Sequence, residues 1–402
     1  MIDALKGWTP AQKHVVAASY LGWTLDAFDF FLLVFVLKDV AAEFGTSISS
    51  VTFALALTLA LRPVGAFIFG RLADRFGRRP VLMFDVALYS LLAFATAFSP
   101  NLIVFLVLRA LFGIAMGGEW GIGASLTMET VKPQARGFVS GLLQSGYPSG
   151  YLLASLVFFF LYPLIGWRGM FAVGVLPALL ILYIRRHVPE SPGWDAHAAQ
   201  QETVKQVLTR HWKLALYAIV LMTAFNFLSH GTQDMYPTFL QIQHGFDHAV
   251  VSKIAIIYNV GAILGGITFG IISQRFGRRR MIVITTLLAA LVAPLWAFAQ
   301  TPILLAVGAF LMQFFVQGAW GIIPAHLNEL SPRHARGTFP GTIYQLGNFI
   351  ASSNAPLQAG LAAHFGGRYS IALAGVAITA AIVIAVLAPF AKEGRDLDLN
   401  TG

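Results

Sequence analysis

Four polar side chains share one stripe between Asn226 and Asp234. Asn226, His230 and Asp234 are spaced i, i+4, i+8, and Gln233 follows His230 by three residues, so a helix there turns all of them to one side. Four such groups on an otherwise apolar helix make a lining rather than a lipid face. His230 and Asp234 fall one turn apart, near enough to hold a proton jointly and to titrate as a pair. Their other reading is a satisfied polar seam between two helices. The chemistry on offer is reversible binding of a proton and a polar solute, not bond cleavage. The sequence has no nucleophile elbow, phosphate loop or metal-ligand cluster. A chain without cysteine has no disulfide, thiolate metal site or thiol nucleophile. An enzyme is therefore not expected, and His14, His211, His244 and His248 read as loop or interface residues.

The sequence around this stripe is overwhelmingly apolar. Of 402 residues 57% are hydrophobic and 11% charged, with a mean hydropathy of +0.71. A water-soluble domain of that length needs far more charge to cover its surface, so lipid is the expected solvent. The net charge of +9 does not point to nucleic acid, because the basic residues sit in short clusters between apolar runs. Spanning segments need about 20 mostly apolar residues. Runs of that kind lie near 15–37, 51–72, 79–98, 101–128, 138–161 and 167–185, and resume near 213–241, 252–273, 281–299, 302–326, 338–363 and 369–390. That predicts twelve helices. Residues 1–13 are polar and the run behind them is too long for a signal-peptide core, so the first helix is expected to be retained. With the N-terminus inside, 21 of the 27 Lys and Arg fall on the cytoplasmic side and only Lys38, Arg168, Lys253 and Arg368 on the outer side. Both termini are therefore expected in the cytoplasm of a cell (inner) membrane.

The chain also aligns with itself at an offset of 200 residues. Gly70 and Arg75-Phe76-Gly77-Arg78-Arg79 return as Gly270 and Arg275-Phe276-Gly277-Arg278-Arg279; Gly118, Trp120 and Gly121 return as Gly318, Trp320 and Gly321. A tandem duplication of six helices follows, with an N-terminal bundle over 1–185, a cytoplasmic linker over 186–212 and a C-terminal bundle over 213–402. The repeat sorts the charges. Features that build the bundle should recur, whereas those that bind an asymmetric solute need not. Asp26, Asp29, Arg62, Asp85, Arg109, Glu119, His230 and Asp234 face Asn226, Ser229, Ala262, Thr285, Ala309, Ala319, Phe30 and Val34, so none recurs. A charge at the bilayer centre costs at least about 2.5–3.5 kcal/mol, so each must face the interior and find a partner. Asp26, Asp29 and Arg62 fall at similar depth near mid-membrane. Arg62 can pair with either aspartate when empty or with a substrate carboxylate when full, and a fixed ion pair is its other reading. Glu119 and the two aspartates join the His230–Asp234 pair as proton-site candidates. Arg109 is expected to brace its bundle and Asp85 to be structural.

The segment from Gly70 through Asp74 to Arg79 resembles the signature loop of the major facilitator superfamily, and Arg109 with Gly113 and Gly117 resembles its second motif. Pro189-Glu190-Ser191-Pro192 is similar to a sequence of its sugar and metabolite proton symporters. The resemblance implies an all-α membrane protein of twelve helices in two pseudo-symmetric bundles. Asp74, Arg75, Arg78 and Arg79, with Arg275 and Arg278 in the second copy, then form a conformational latch between helix ends. Gln274 stands where the first copy has Asp74, so the second latch is expected to be the weaker. Asn226, Ser229, His230, Thr232, Gln233, Asp234 and Thr238 together resemble the signature of yeast-type lactate/pyruvate:proton symporters, which group with the sialate:proton symporters. The compactness of the chain is that of a bacterial member. This resemblance implies proton-coupled uptake of short monocarboxylates by alternating access, with Arg62, Asn226, His230, Gln233 and Gln345 in substrate or proton roles, and Tyr147 is placed with them. It leaves open a larger acid such as sialate, an aromatic acid, or a non-transporting membrane sensor. Expected partners are the monocarboxylate, protons and membrane lipid, without nucleic acid; no cofactor beyond the coupling proton and no metal is expected, and the protein is expected to be a monomer.

Overall fold

A computed structural model describes residues 8–131, 135–189, 209–332 and 339–394. Among them every regular element is a helix. In chain order these are α1 (Pro10–Glu43), α2 (Ile48–Phe76), α3 (Arg78–Thr96), α4 (Leu102–Thr130), α5 (Arg136–Phe160), α6 (Tyr162–Val173 with Leu176–His187), α7 (Trp212–Ile242), α8 (His248–Phe276), α9 (Arg278–Phe298), α10 (Pro302–Leu330), α11 (Phe339–Ala351 with Asn354–His364) and α12 (Tyr369–Leu387). The chain is an all-α membrane protein. Nine of the described helices are long and apolar enough to span a bilayer, and the α6 pair, bent by 46°, makes ten. The other two are α5, which buries Ser140, Gln144, Ser145 and Tyr147, and α11, which breaks at Ser352–Ser353. Most of the 186–212 linker, 190–208, lies outside the described residues.

Sequence sets the helix ends. Thr9 caps α1 in a reciprocal box with Gln12, with Pro10 in the first turn; Ser47, Asn101, Asp247 and Thr301 cap α2, α4, α8 and α10. Each side-chain oxygen satisfies a backbone N–H that has no partner within the helix. Gly77 and Gly277, two hundred residues apart, both turn at φ 96° between consecutive helices. That conformation strains any residue with a Cβ. The helices then invert the soluble pattern. Leu91 and Ile303 are 61% and 76% exposed, whereas Asp26, Asp29, Arg62, Asp85 and Arg109 are wholly buried. Apolar surface outside and charge inside is what a lipid solvent selects.

In the first six helices α1 packs on α5 and α2 on α4; in the second six α8 packs on α10 and α7 on α11. The two sets meet through α5 against α8 and α2 against α11. At the Arg-rich end, Ser140 Oγ donates to the Gly321 carbonyl at 3.0 Å and accepts from the Ala325 N–H at 3.1 Å. Midway, the Tyr151 hydroxyl donates to the Gln233 carbonyl at 3.1 Å. At the far end, Gln241 Nε2 donates to the Phe35 carbonyl at 3.3 Å, and the Phe158 ring lies 6.2 Å from His248. The halves are therefore in contact from one side of the membrane to the other.

Glycine makes the Arg-rich end of this seam possible. A Cβ on Gly141 would lie 2.8 Å from the Gly266 carbonyl oxygen, and one on Gly270 would lie 3.0 Å from that of Gly137. Gly141→Leu should therefore prop this end open. Overpacking of about 1–3 kcal/mol shifts a two-state balance by about fivefold to a hundredfold. Because the chain has no native cysteine, Ala325→Cys, buried beside Ser140, reports the opening. Its reaction with an impermeant maleimide is expected to rise by about that factor in the Gly141→Leu background. Unchanged labelling would mean that the glycine contact does not hold this end shut.

Candidate functional site

The polar stripe of α7 is buried at the meeting of the halves. His230 Nδ1 lies 3.1 Å from Asp234 Oδ2 and 3.2 Å from Oδ1, with both side chains at most 2% exposed. The ring therefore faces both carboxylate oxygens along one helical turn. Asn226 Nδ2 donates back to the Met222 carbonyl at 2.8 Å. Gln233 points elsewhere than the stripe implied. Its Nε2 donates to Gln313 Oε1 at 2.8 Å, and Gln313 Nε2 donates to Thr232 Oγ1 at 2.9 Å. Gln317 Nε2 similarly donates to Ser229 Oγ at 3.1 Å. This side of α7 is a polar seam with α10, the alternative the spacing left open, while His230 and Asp234 keep their own pairing. Gln313 and Gln317 escaped the sequence reading because its comparison of the two repeats sorted ionisable groups only. Their i, i+4 spacing on an apolar helix is the signal that marks them.

Across the interface, α1, α2 and α4 supply the opposite charges. The Arg62 guanidinium approaches Asp26 Oδ2 at 3.7 Å, an ion pair too long for a hydrogen bond. All three Arg62 nitrogens and both Asp26 oxygens lack a hydrogen-bond partner among the protein atoms. Of the two aspartates that depth could not separate, the fold gives Asp26 to Arg62. Asp29 interacts electrostatically with Arg109 instead, and Arg109 lies over the Phe112 ring at 4.0 Å. Glu119 aims at α1, where its carboxylate abuts Gly22, one turn before Asp26. Asp85, expected to be structural, has both oxygens buried without a hydrogen bond and feels the charge of Asp26. Four carboxylates thus face two guanidiniums in one buried bundle, so the fully ionised cluster is doubly negative. Such an excess is costly to keep dry, and a proton is the smallest group that relieves it.

Aromatic rings close the site around Arg62. Its guanidinium carbon lies 5.5 Å from the Trp23 ring and 6.0 Å from that of Tyr344, inside cation–π range. Tyr147 stacks on Trp23 at 5.3 Å and meets the His230 ring at 6.3 Å, so it connects the two polar groups. Tyr344 also packs on Trp120 at 4.7 Å and Trp320 at 5.6 Å. Gln345 Nε2 reaches across to the Gly117 carbonyl at 3.3 Å while its Oε1 accepts from Asn348 Nδ2 at 3.0 Å. Arg62, Asp26, Tyr147, His230, Asp234 and Gln345 are thereby gathered by one ion pair, the His230–Asp234 contact and a bridge of rings. Trp23, Trp120, Trp320 and Tyr344 are the additions that charge-based reasoning did not supply. Among the described residues no three His, Asp or Glu side chains are placed to hold a metal ion.

At the Arg-rich rim the second latch is better furnished than Gln274 suggested. Arg278 pairs with Glu329 at 3.0 Å and donates to Gln274 Oε1 and Ser273 Oγ, both at 2.6 Å. Glu393 caps the start of α9, accepting from the backbone N–H groups of Arg278 at 3.0 Å and Arg279 at 3.3 Å. The carboxylates thus come from α10 and from the segment after α12 rather than from the position that corresponds to Asp74. Arg275 is exposed at the end of α8. In the first copy Arg79 donates to the Arg185 carbonyl, and Arg78 is half-buried. Asp74 and Arg75 lie outside the residues whose side chains are described.

Comparison with known proteins agrees with this architecture. The sequence profile of the Major Facilitator Superfamily matches residues 20–253 and 235–400. The chain is similar to the carboxylic acid transporter protein homolog of Saccharomyces cerevisiae, 28% identical over 90% of this chain. It spans 63% of that protein's length. It is similar also to the sialic acid transporter NanX of Escherichia coli, 26% identical over 94% of each chain. Among solved structures, the proton:xylose symporter XylE superposes with a TM-score of 0.76 at 19% identity over 95% of this chain and 96% of that one, a likeness of fold.

Proposed function

This chain belongs to the Major Facilitator Superfamily, a multi-pass membrane transporter and not an enzyme, and we propose that it carries short monocarboxylates such as lactate and pyruvate together with protons. The observation that carries this reading is Arg62, a buried guanidinium whose nitrogens have no hydrogen bond and whose ion partner stands off at 3.7 Å. Such a group is poised to take an anionic carboxylate in bidentate fashion. The neighbouring His230–Asp234 pair, with Asp26, Asp29 and Glu119 across the interface, supplies places for the compensating proton. The names of the similar yeast and Escherichia coli proteins support an organic acid as solute.

The carboxylate enters between the halves and displaces Asp26 from Arg62, with Asn226 and Gln345 as further hydrogen-bonding groups. One proton neutralises the added negative charge. The loaded carrier is electrically no worse than the empty one and can pass through the sealed arrangement, whereas an unbalanced charge would resist burial. The halves then separate on the opposite side. The Lys/Arg bias sets the Arg-rich rim and both termini in the cytoplasm of the cell's inner membrane. The carrier works as a monomer in lipid, with no cofactor beyond the proton and no nucleic-acid partner.

The test is uptake of labelled L-lactate into proteoliposomes with and without an acid-outside pH step. Accumulation is expected only with the step and is expected to collapse on adding a protonophore. No lactate uptake by folded protein, with uptake of sialate instead, would move the solute to larger acids.

A further inference from the structure

Resting on the placement of the substrate carboxylate at Arg62, we propose that this site selects planar, conjugated monocarboxylates bearing a further hydrogen-bond acceptor, such as 2-oxo acids and flat-ring carboxylates, over saturated acids of similar size. Two independent features carry this. The first is the unspent hydrogen bonding. The indole Nε1 of Trp23, whose ring is beside Arg62, those of Trp120 and Trp320, whose rings pack on Tyr344, and the hydroxyl of Tyr147 are buried without a hydrogen-bond partner among the described protein atoms. Guanidinium and indole nitrogens only donate. Buried Trp and Tyr heads usually find acceptors, so three such indoles in the ring cluster that meets a guanidinium without a hydrogen bond mark a place that awaits acceptors. A carboxylate answers Arg62. The indoles require acceptors elsewhere on the solute, which a carbonyl oxygen or ring nitrogen supplies. A hydroxyl brings a proton of its own into a region already rich in donors.

The second feature is shape. Arg62 lies 5.5 Å from the ring of Trp23 and 6.0 Å from that of Tyr344, which come from opposite halves. Tyr147 extends the first wall, stacked on Trp23 at an interplanar angle of 26°, and Trp120 extends the second at 4.7 Å from Tyr344. A carboxylate held on Arg62 places its carbon skeleton between these walls. A flat skeleton lets both close on it as the halves meet, whereas a chair or a tetrahedral carbon holds one wall away. Trp23 and Tyr344 are therefore specificity-determining residues, and pyruvate should be preferred to lactate.

The probes are benzoate, cyclohexanecarboxylate and pyridine-3-carboxylate. The first two have equal carbon number and differ in flatness, and the third adds an acceptor to the flat ring. Thermal stabilisation of the detergent-purified protein reports binding without transport, and inhibition of labelled pyruvate uptake in proteoliposomes reports competition. Benzoate is expected to act at about tenfold lower concentration than cyclohexanecarboxylate, the factor that one or two aromatic contacts supply, and pyridine-3-carboxylate at lower concentration still. Trp23→Leu and Tyr344→Leu should bring benzoate and cyclohexanecarboxylate to parity. Equal action of those two acids on the wild-type protein overturns the selectivity, and it leaves the transport reading standing if pyruvate is accumulated. Stabilisation by the flat acids without lactate or pyruvate uptake overturns the transport reading and keeps the selectivity.

Discussion

Arg62→Ala is expected to lower monocarboxylate uptake by at least about a hundredfold while leaving the bundle folded. The size follows from what the guanidinium faces. It is buried, it has no hydrogen-bond partner among the described residues, and its ion partner among them, Asp26, stands at 3.7 Å. Removing one member of a buried charge pair costs about 3–5 kcal/mol, or about two to three and a half decades in affinity. That loss falls on the loaded carrier, where a carboxylate would lie buried without its counter-charge. The empty protein loses less, because Asp26 freed of its partner can take a proton. Arg62→Lys should recover part of the uptake, since a lysine keeps the charge but not the two-pronged donor geometry. The measurement is initial uptake rate at several substrate concentrations, with thermal melting as the control for folding. A folded Arg62→Ala protein with wild-type uptake would remove Arg62 from the site.

Asp234→Asn is expected to separate exchange from accumulation. His230 is held 3.1 Å from the Asp234 carboxylate and packs against the rings of Tyr147 and Phe30, and the proposed function makes this pair a place for the coupled proton. An amide keeps the size and a hydrogen bond to the imidazole but cannot carry the proton. Tight coupling of one proton to one anion allows about tenfold accumulation for each unit of pH difference. The wild-type protein should approach that ratio, while Asp234→Asn should stay near unity yet still exchange labelled for unlabelled substrate across the membrane at equal pH. Full accumulation by this variant would transfer the proton to Asp26, Asp29 or Glu119. Loss of exchange as well would show that Asp234 shapes the site itself.

The helices were the most legible part of the molecule because lipid imposes a single rule along the whole chain. The run near 138–161 meets α5 at Arg136–Phe160 and that near 369–390 meets α12 at Tyr369–Leu387. The run near 167–185 misses the start of α6 at Tyr162, and nothing in its hydropathy reveals the turn at Gly166, φ 60°, or the 46° bend after Val173. In the site, the rule that unrepeated charges serve the solute picked out Arg62, Asp26 and the α7 pair. The same rule hid Trp120 and Trp320, because they do repeat; two equivalent rings converge on Tyr344, which has no counterpart in the first copy. The choice between Asp26 and Asp29 was beyond the sequence for a geometric reason. Three residues apart on one helix, both face inward, and only the crossing of α1 with α2 decides which meets the guanidinium. Gln233 illustrates the converse. Its spacing put it on the stripe, but Gln313 on α10 offered it a bond.

One consequence lies in where the Arg62 pair is anchored. Asp26 and Arg62 belong to α1 and α2, within the same bundle, so a rigid swing of one half against the other leaves the gap between them unchanged. The ion partner that an incoming anion must displace is then the same whichever side of the membrane the site faces. Nothing in that contact acts as a ratchet. Under the proposed proton coupling, a cell that accumulates acid inside while its surroundings turn alkaline would find the same protein working as an outlet, and starving such a cell of external substrate should make it leak its own.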